Sequence, residues 1–470
     1  MKPLLVLFAV AWVFAAIGLP PIEDETYYWA WSRAPALTYF DHPPGIAWVM
    51  TLSTRALGDG VLGLRAPSAV AVATILAFTV LTARALRARA DLAILILLGA
   101  PMFTVGYVPG THDVLLGAAA ALAAYAIVAY PRGTAAAFLL TVSLLLKHAA
   151  AVIALGALLG VASTRDGRAA LRHWRPWAGL ALGLLVVSPW IYADLTNGES
   201  IAFQATHVFA YGKIRGPVAL PLAIGSTLLT LGPVGGAAIW LATLDTLKDR
   251  ENMARSALAG GALAILAACV VAVWAGSGEA NWPMPALAFS APLLAAWIGD
   301  RPRVERVARP AAWLTAVIGL LLMVHAGHPL FHHPRDPTLR GAGFDAIADR
   351  ASALATEHHA KMIVTTRYQA ASLVRYHTRD AHPVLELGNK RRKSQYDLWP
   401  RPPVCAGEAY VWVGPSPGPP PELGGESLAE PIAIRRRRTP DSPVIDTWWA
   451  HALRAERDRE CASGPGLLEP

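Results

Sequence analysis

From Leu4 to about residue 327 the chain is a succession of apolar blocks separated by short polar stretches. Beyond that point apolar and polar positions mix as they do in water-soluble proteins. The blocks run 4–19, 66–83, 91–108, 114–130, 134–147, 149–163, 176–193, 217–245, 257–275, 283–299 and 310–327. A bilayer-crossing helix needs about 20 apolar residues, so the pattern predicts a polytopic α-helical membrane protein of about eleven transmembrane helices. The first block follows Lys2 directly and is read as an uncleaved helix rather than a signal peptide, because ten more blocks follow. Blocks 134–147 and 149–163 are read as two helices. A single helix would bury Lys147 and His148 in hydrocarbon, whereas a break puts them at a membrane surface.

An odd number of spans places the two ends on opposite sides. Arg84, Arg87 and Arg89 share one loop, and Arg165, Arg168, Arg172 and Arg175 a second. Lys248, Arg250 and Arg255 share a third, and Arg301, Arg303, Arg306 and Arg309 a fourth. All four fall on the side of Lys2, which the excess of basic residues marks as cytoplasmic. The opposite loops, 21–65, 109–113, 194–216 and 276–282, hold most of the acidic residues that precede residue 328. Gly45–Leu57 is apolar but too short to cross and is read as a helix lying in the outer interface.

This gives a membrane domain over 1–327, with a first outer loop at 21–65, and a small extracytoplasmic α/β domain over 328–470. In the latter, Phe344–Thr356 has helical spacing, while Met362–Thr366, Tyr410–Val413 and Ile432–Ile434 read as short strands. The run Arg435–Arg438 is read as a solvated edge, with contact to anionic headgroups as the functional alternative. Composition agrees with this division. The chain of 470 residues is 54% hydrophobic and 16% charged, against about 25% charged in soluble domains. The formal charge of +8 is scattered between apolar blocks rather than gathered on one face, which points away from nucleic acid. Three cysteines, Cys269, Cys405 and Cys461, allow neither a zinc site nor a disulfide framework; a single Cys405–Cys461 bridge requires an extracytoplasmic tail.

The candidate chemistry lies in the outer loops. Glu23, Asp24 and Glu25 follow the first span, and adjacent carboxylates suit cation binding or proton transfer; they would equally end a helix in solvent. Tyr27, Tyr28, Trp29 and Trp31 form a dense aromatic stretch suited to an interface or to stacking on sugar or lipid. Asp41 and His42 precede Pro43-Pro44, which fixes the corner they occupy, and the pair suits a metal, a phosphate or a turn cap. Asp113 opens another span, as an N-cap or a functional acid. Lys147, Lys213 and Arg215 are among the few outer-face cations and suit a lipid phosphate. No phosphate-binding glycine loop is present, so a nucleotide-bound donor is not indicated.

These residues carry a family resemblance. The acidic pair Asp24-Glu25 with Tyr27-Tyr28-Trp29, the run Tyr39-Phe40-Asp41-His42-Pro43-Pro44-Gly45, Arg65 in Leu64–Ser68, Asp113, Lys147, Gln204 with His207, Asn281-Trp282-Pro283, and Ser394–Trp399 resemble the dolichyl-phosphate-mannose-protein mannosyltransferase-like GT-C glycosyltransferases. The nearest branch is that of the bacterial lipid A aminoarabinose and lipopolysaccharide galacturonic acid transferases. The resemblance implies a GT-C fold and an inverting transfer of sugar from a polyprenyl phosphate, undecaprenyl phosphate foremost, to an envelope acceptor on the outer face of the bacterial inner membrane. Lipid A or lipopolysaccharide is the leading acceptor, with a protein hydroxyl as the alternative. A lipid-linked sugar carrier or flippase is the reading from a different class, and it would place its charges at mid-span.

By the same resemblance Asp24, with Glu25 beside it, activates the acceptor, and Asp113 orients a substrate hydroxyl. Tyr27, Tyr28, His42, Arg65, Lys147, Lys213 and Arg215 contact substrate. Asp41 and His207 stand where that branch can hold a divalent metal ion, with Asp in place of the longer Glu.

Overall fold

The computed structural model describes residues 2–210, 216–279, 281–387, 392–418, 420 and 422–459, with side chains 207–210 and 219 left out. Two compact units emerge. One comprises the first helix and Pro35–Leu330; the other joins Leu19–Ala34 to the chain from Phe331 onward.

In the first unit every predicted apolar block is helical, but not every block is one helix. Five helices are long and apolar enough to cross a membrane: Val61–Ala85, His112–Ala129, Trp174–Asn197, Met253–Ala275 and Pro302–Gly327. Counting two bent helix pairs as single spans raises this to seven. The expected count of about eleven spans is not confirmed by length and composition among the described residues. The block 217–245 is two helices, Ala219–Thr230 and Pro233–Asp249, parted at Leu231-Gly232. Gly232 takes φ 77° and Pro233 starts the next helix, the usual combination for stopping one helix and opening another. Block 91–108 is likewise broken into Ala90–Leu98 and Pro101–Thr104 by Gly99-Ala100. The break predicted at Lys147-His148 is present: Thr134–Val142 and the short 3-10 turn Ser143–Leu145 end before Ala149–Ser163 begins. Gly45–Leu57 forms a separate 13-residue helix.

The apolar residues of this unit divide into two populations. Leu92 to Leu98 and nearly all of Ala286–Gly299 are buried. Along Trp174–Asn197 and Pro302–Gly327, Leu185, Leu195, Val307 and Leu314 are 63–73% exposed. Water would not tolerate such a belt, and hydrocarbon does, so the chain is a multi-pass membrane protein. Helix contact relies on small residues. A Cβ on Gly156 would fall 2.4 Å from the Gly260 carbonyl oxygen, and one on Gly160 2.1 Å from that of Ser256. This spacing of four lets Ala149–Ser163 press backbone-close against Met253–Trp274.

Ion pairs tie three of the basic loops together at one end of the unit. Arg89 meets Glu305 at 2.9 Å, Arg309 meets Asp91 at 3.2 Å, Arg255 meets Asp300 at 2.7 Å and Arg301 meets Asp245 at 2.5 Å.

The second unit is an α/β layer with strands β1 (Ile363–Thr365), β2 (Val384–Glu386), β3 (Ala409–Gly414), β4 (Glu426–Ser427), β5 (Ile432–Arg436) and β6 (Asp446–Arg454). The order is β2-β1-β3-β6, with β4 and β5 both pairing with β6. β1 is parallel to β2 and β3; the pairs that involve β6 are antiparallel. Strand alternation builds two cores. Val411 and Val413 pack with helices Phe344–Glu357 and Tyr368–Thr378 through Ile347, Leu354, Leu373 and Val374. Tyr410 and Trp412 face the other side with Met362, Val364 and Leu453. Cys405 is disulfide-bonded; Cys461 lies outside the described residues, and Cys269 is a buried free thiol.

The arginine run is not a uniform solvated edge. Arg436 is 7% exposed. It meets Asp446 through two bonds of 2.7 and 2.8 Å and donates to the carbonyls of Arg340 and Ala342 at 3.0 and 2.9 Å. Strand alternation turns it onto the sheet's covered face. Arg436→Gln strands these acceptors, and about 2 kcal/mol of local stability is lost. Hydrogen exchange along β5 and β6 should then quicken by roughly 30-fold; unchanged exchange would show that the clamp contributes little.

Candidate active site

In the membrane unit the polar residues gather around two buried carboxylates. Asp113 lies in the first turn of His112–Ala129 and is 3% exposed. Thr111 holds the N-cap position, so Asp113 is free of that duty. Its Oδ1 accepts from Lys147 Nζ at 2.6 Å and its Oδ2 from Asn281 Nδ2 at 2.7 Å. Lys147 reaches inward because the helix breaks there; its side chain is only 12% exposed. His112 Nε2 is 3.4 Å from Asp113 Oδ2, and the His112 ring lies 4.0 Å from that of His42. Burial first, then the charges of His112, Lys147 and His148, hold His42 well below the usual histidine range, which leaves it neutral near pH 7.

Asp194 is the second centre. Its carboxylate accepts from Thr38 Oγ1, Ser200 Oγ at 2.7 Å, Ser200 N at 3.3 Å and Ile201 N at 2.9 Å. It thereby caps helix Ser200–Ala210, where exposed N–H groups favour a negative charge. Ser200 Oγ also lies 3.3 Å from His148 Nε2. Burial pushes His148 down to about 4, with the Asp194 charge opposing and the Lys147 charge adding. Gln204 Nε2 donates to the Asp41 carbonyl at 2.8 Å. The loops of Thr38–His42, Thr111–Asp113, Lys147–His148, Asp194–Ser200 and Asn281 thus converge, as the sequence pattern implied.

Other expectations fare differently. Arg65 is 2% exposed and donates to the Ala16 carbonyl at 2.7 Å. It ties off the end of the first helix, whose last carbonyls have no partner within the helix; its substrate contact stays an expectation from sequence. Lys213 and Arg215 lie outside the described residues, as does the side chain of His207. Asp41 is buried, and among the described residues no three His, Cys, Asp or Glu side chains gather as a metal would require. The Asp41–His207 pairing therefore stays an expectation from sequence.

The acidic string belongs to the second unit, on helix Glu23–Ser32. Its three carboxylates are not equivalent. Glu25 is fully buried. Glu23 and Asp24 share Arg340, whose Nε donates to Glu23 Oε1 at 2.7 Å and Nη2 to Asp24 Oδ2 at 3.2 Å. Asp24 is the open one, with a side chain 36% exposed against 16% for Glu23. Desolvation opposes the charge on Arg340, but Asp24 and Glu23 outweigh it and hold its pKa above the usual value. Arg340 carries no local motif and sits 316 residues from Asp24.

The aromatic stretch is not an open platform. Tyr27 is 3% and Tyr28 4% exposed. The Tyr27 ring lies 4.6 Å from Tyr368 and 5.0 Å from Trp31, and its hydroxyl accepts from Gln395 N at 2.7 Å. Within this unit Tyr27 locks the acidic helix to the α/β layer, a correction to its reading as a stacking surface.

Residues 41–192 match the family model described as dolichyl-phosphate-mannose-protein mannosyltransferase. Two solved structures share the architecture. The crystal structure of ArnT from Cupriavidus metallidurans bound to undecaprenyl phosphate covers 96% of this chain and 97% of its own, at 18% identity and a TM-score of 0.65. The same protein in the apo state gives 0.64 at 18% identity, covering 96% and 98%. The chain has the ArnT fold. The GT-C architecture with its small C-terminal sheet, expected from the sequence, is thereby in place. The ArnT-like frame runs through both units, and the family match spans His42, Asp113, Lys147 and His148. No curated protein sequence matches the chain.

Removing one member of a buried ion pair leaves the other uncompensated, which costs about 3–5 kcal/mol. Lys147→Met should therefore destabilise the membrane unit, and adding Asp113→Asn should restore most of the loss, as read by thermal unfolding in detergent. A double variant no more stable than Lys147→Met would refute the coupling. His148 takes up protons in the unfolded chain near pH 6.5 but in the folded protein only near 4. Its contribution to stability is thus complete above pH 6.5 and is lost as pH falls towards 4. His148→Gln should flatten that slope; an unchanged slope would assign it to other groups.

Proposed function

We propose that the protein is an integral membrane glycosyltransferase. It moves a sugar from a polyprenyl phosphate, undecaprenyl phosphate foremost, to a cell-envelope acceptor, lipid A or lipopolysaccharide first among them. The observation that carries this reading is the buried Lys147–Asp113–Asn281 centre at a helix break. An ionised pair inside an apolar helical unit is costly and points to function. A lysine is a compact charge for a phosphate carried on an apolar tail. The ArnT fold supports the same donor chemistry.

In the proposed reaction the acceptor oxygen attacks the anomeric carbon. Its proton passes to a carboxylate, and the bond from that carbon to the phosphate oxygen breaks. Attack from the face opposite the phosphate inverts the centre. The phosphate leaves as an anion, so a cation aids it more than an acid would. Lys147 meets that charge, with Lys213 and Arg215 as further cations, and Asp113 holds Lys147 in place. Asp24, the exposed carboxylate of its string, takes the proton. Glu25, being buried, supports the helix. Arg340 is a positioning residue that fixes Asp24. A metal at Asp41 and His207 is part of the proposal only as an addition to these roles.

The orientation proposed puts the ion-paired basic loops in the cytoplasm and the second unit in the periplasm. A disulfide at Cys405 suits that oxidising side. A protein hydroxyl as acceptor is the second reading, favoured by the family match over 41–192.

Mass spectrometry of lipopolysaccharide and envelope glycans from wild-type, deletion and Asp24→Asn cells tests the proposal. One sugar should vanish in both altered strains while the variant stays in the membrane; full rescue by Asp24→Asn would remove the acid from catalysis. Arg340→Gln should lower kcat about tenfold with KM for the donor nearly unchanged. A rise in KM alone would make Arg340 a binding residue.

A further inference from the structure

A second feature of the membrane unit lies away from the polar centres. A cavity of 230 Å³ opens among Ile127, Leu140, Ala154, Leu158, Leu171 and Trp177. Leu158 and Trp177 are 40% and 49% exposed, so its mouth faces the surroundings of the helices. Its lining also includes Met253, two residues from the Arg255 that pairs with Asp300. The cavity therefore sits at the end where the basic loops are tied together.

The corner beside it is built for a membrane surface. After Ala149–Ser163 the chain turns by 116° into Arg165–Leu171. The turn is fixed by Thr164, whose hydroxyl accepts from Gly167 N at 3.0 Å. Trp177 Nε1 donates to the Leu171 carbonyl at 2.8 Å, and Trp174 is 66% exposed; indoles favour the headgroup level. Three arginines adjoin lining residues in the chain: Arg132 between Pro131 and Gly133, Arg172 after Leu171, and Arg175 before Pro176. Arg132 and Arg172 are exposed and Arg175 half-buried. None of the three guanidinium groups has an ion-pair or hydrogen-bond partner among the described residues, although Arg175 lies over the Trp174 ring. Arg168, by contrast, is spent on the carbonyls of Ala162 and Ser163 at 3.0 and 3.1 Å.

We propose that this cavity takes an acyl chain of an anionic phospholipid whose headgroup is held by Arg132, Arg172 and Arg175. The cleft is almost wholly apolar, and the Thr141 hydroxyl and Trp177 indole in its lining already donate to the Ala137 and Leu171 carbonyls, so its occupant is a hydrocarbon chain. The uncompensated cations at its rim select a negative head, as basic pockets between transmembrane helices do. The site is separate from the proposed sugar transfer and does not depend on it.

Native mass spectrometry of the full-length protein in detergent tests this with dioleoyl phosphatidylglycerol and dioleoyl phosphatidylcholine. The wild type should retain phosphatidylglycerol about tenfold better. The triple variant Arg132→Gln/Arg172→Gln/Arg175→Gln should lose that preference, and Ala154→Phe should lose the retained lipid. A photoreactive diazirine in the acyl chain of phosphatidylglycerol should label peptides 130–141 or 154–161 of the wild type, which needs no variant to fold. Equal retention of the two lipids, labelling only elsewhere, or displacement of the label by undecaprenyl phosphate would overturn the proposal.

Discussion

A lysine buried among apolar helices keeps its charge only beside a fixed opposite charge. That constraint organises the membrane unit. Lys147 and Asp113 meet at 2.6 Å, and each needs more than the other to be stable there. The helix must break at Leu146–His148 for Lys147 to turn inward. Asn281 must arrive from another loop to occupy the second oxygen of Asp113. The rings of His42 and His112 fill the adjoining space, and burial keeps His42 from becoming a further cation that would compete for the same carboxylate. The energetic return on such a pair is small, because desolvation offsets most of the attraction. An apolar pair would hold the helices together at least as well, so the conspicuous property of this pair is the charge itself.

Asp194 obeys the same rule by different means. Among the described residues no cation is in contact with it; its charge is spread over hydroxyl and backbone donors. Those donors anchor the start of Ser200–Ala210 and tie it to the loop of Thr38. One carboxylate is thus held by a removable side-chain charge and the other by hydroxyl and backbone donors. The first arrangement can respond to a ligand, and the second fixes the frame around it.

Much of this was legible in the sequence, and the misses share a cause. The apolar blocks marked the helices, and the few polar residues between them marked the convergent loops, because charge in a membrane protein has few permitted places. The break at Lys147 could be read from the cost of burying it. The break at Leu231-Gly232 was missed although Gly-Pro follows directly; the apolar run hid a local stop signal. Long-range pairings could not be read. Nothing near Arg340 announces Glu23 and Asp24, and nothing near Tyr27 announces Tyr368 or Gln395. Arg436 was hidden in a run of like residues, where only its position on the strand separates it from exposed Arg435. β6 escaped because its Ala, His and Arg residues have weak strand preference and are held by pairing on both sides.

In the proposed reaction Lys147 is the seat of the lipid-linked phosphate. Equilibrium binding of undecaprenyl phosphate to the purified protein tests this most directly, comparing wild type with Lys147→Met and with Asp113→Asn/Lys147→Met. The double variant separates loss of the cation from loss of stability. The account predicts that both variants bind at least about tenfold more weakly, the scale of one charge-assisted contact. Wild-type affinity in the double variant would contradict it.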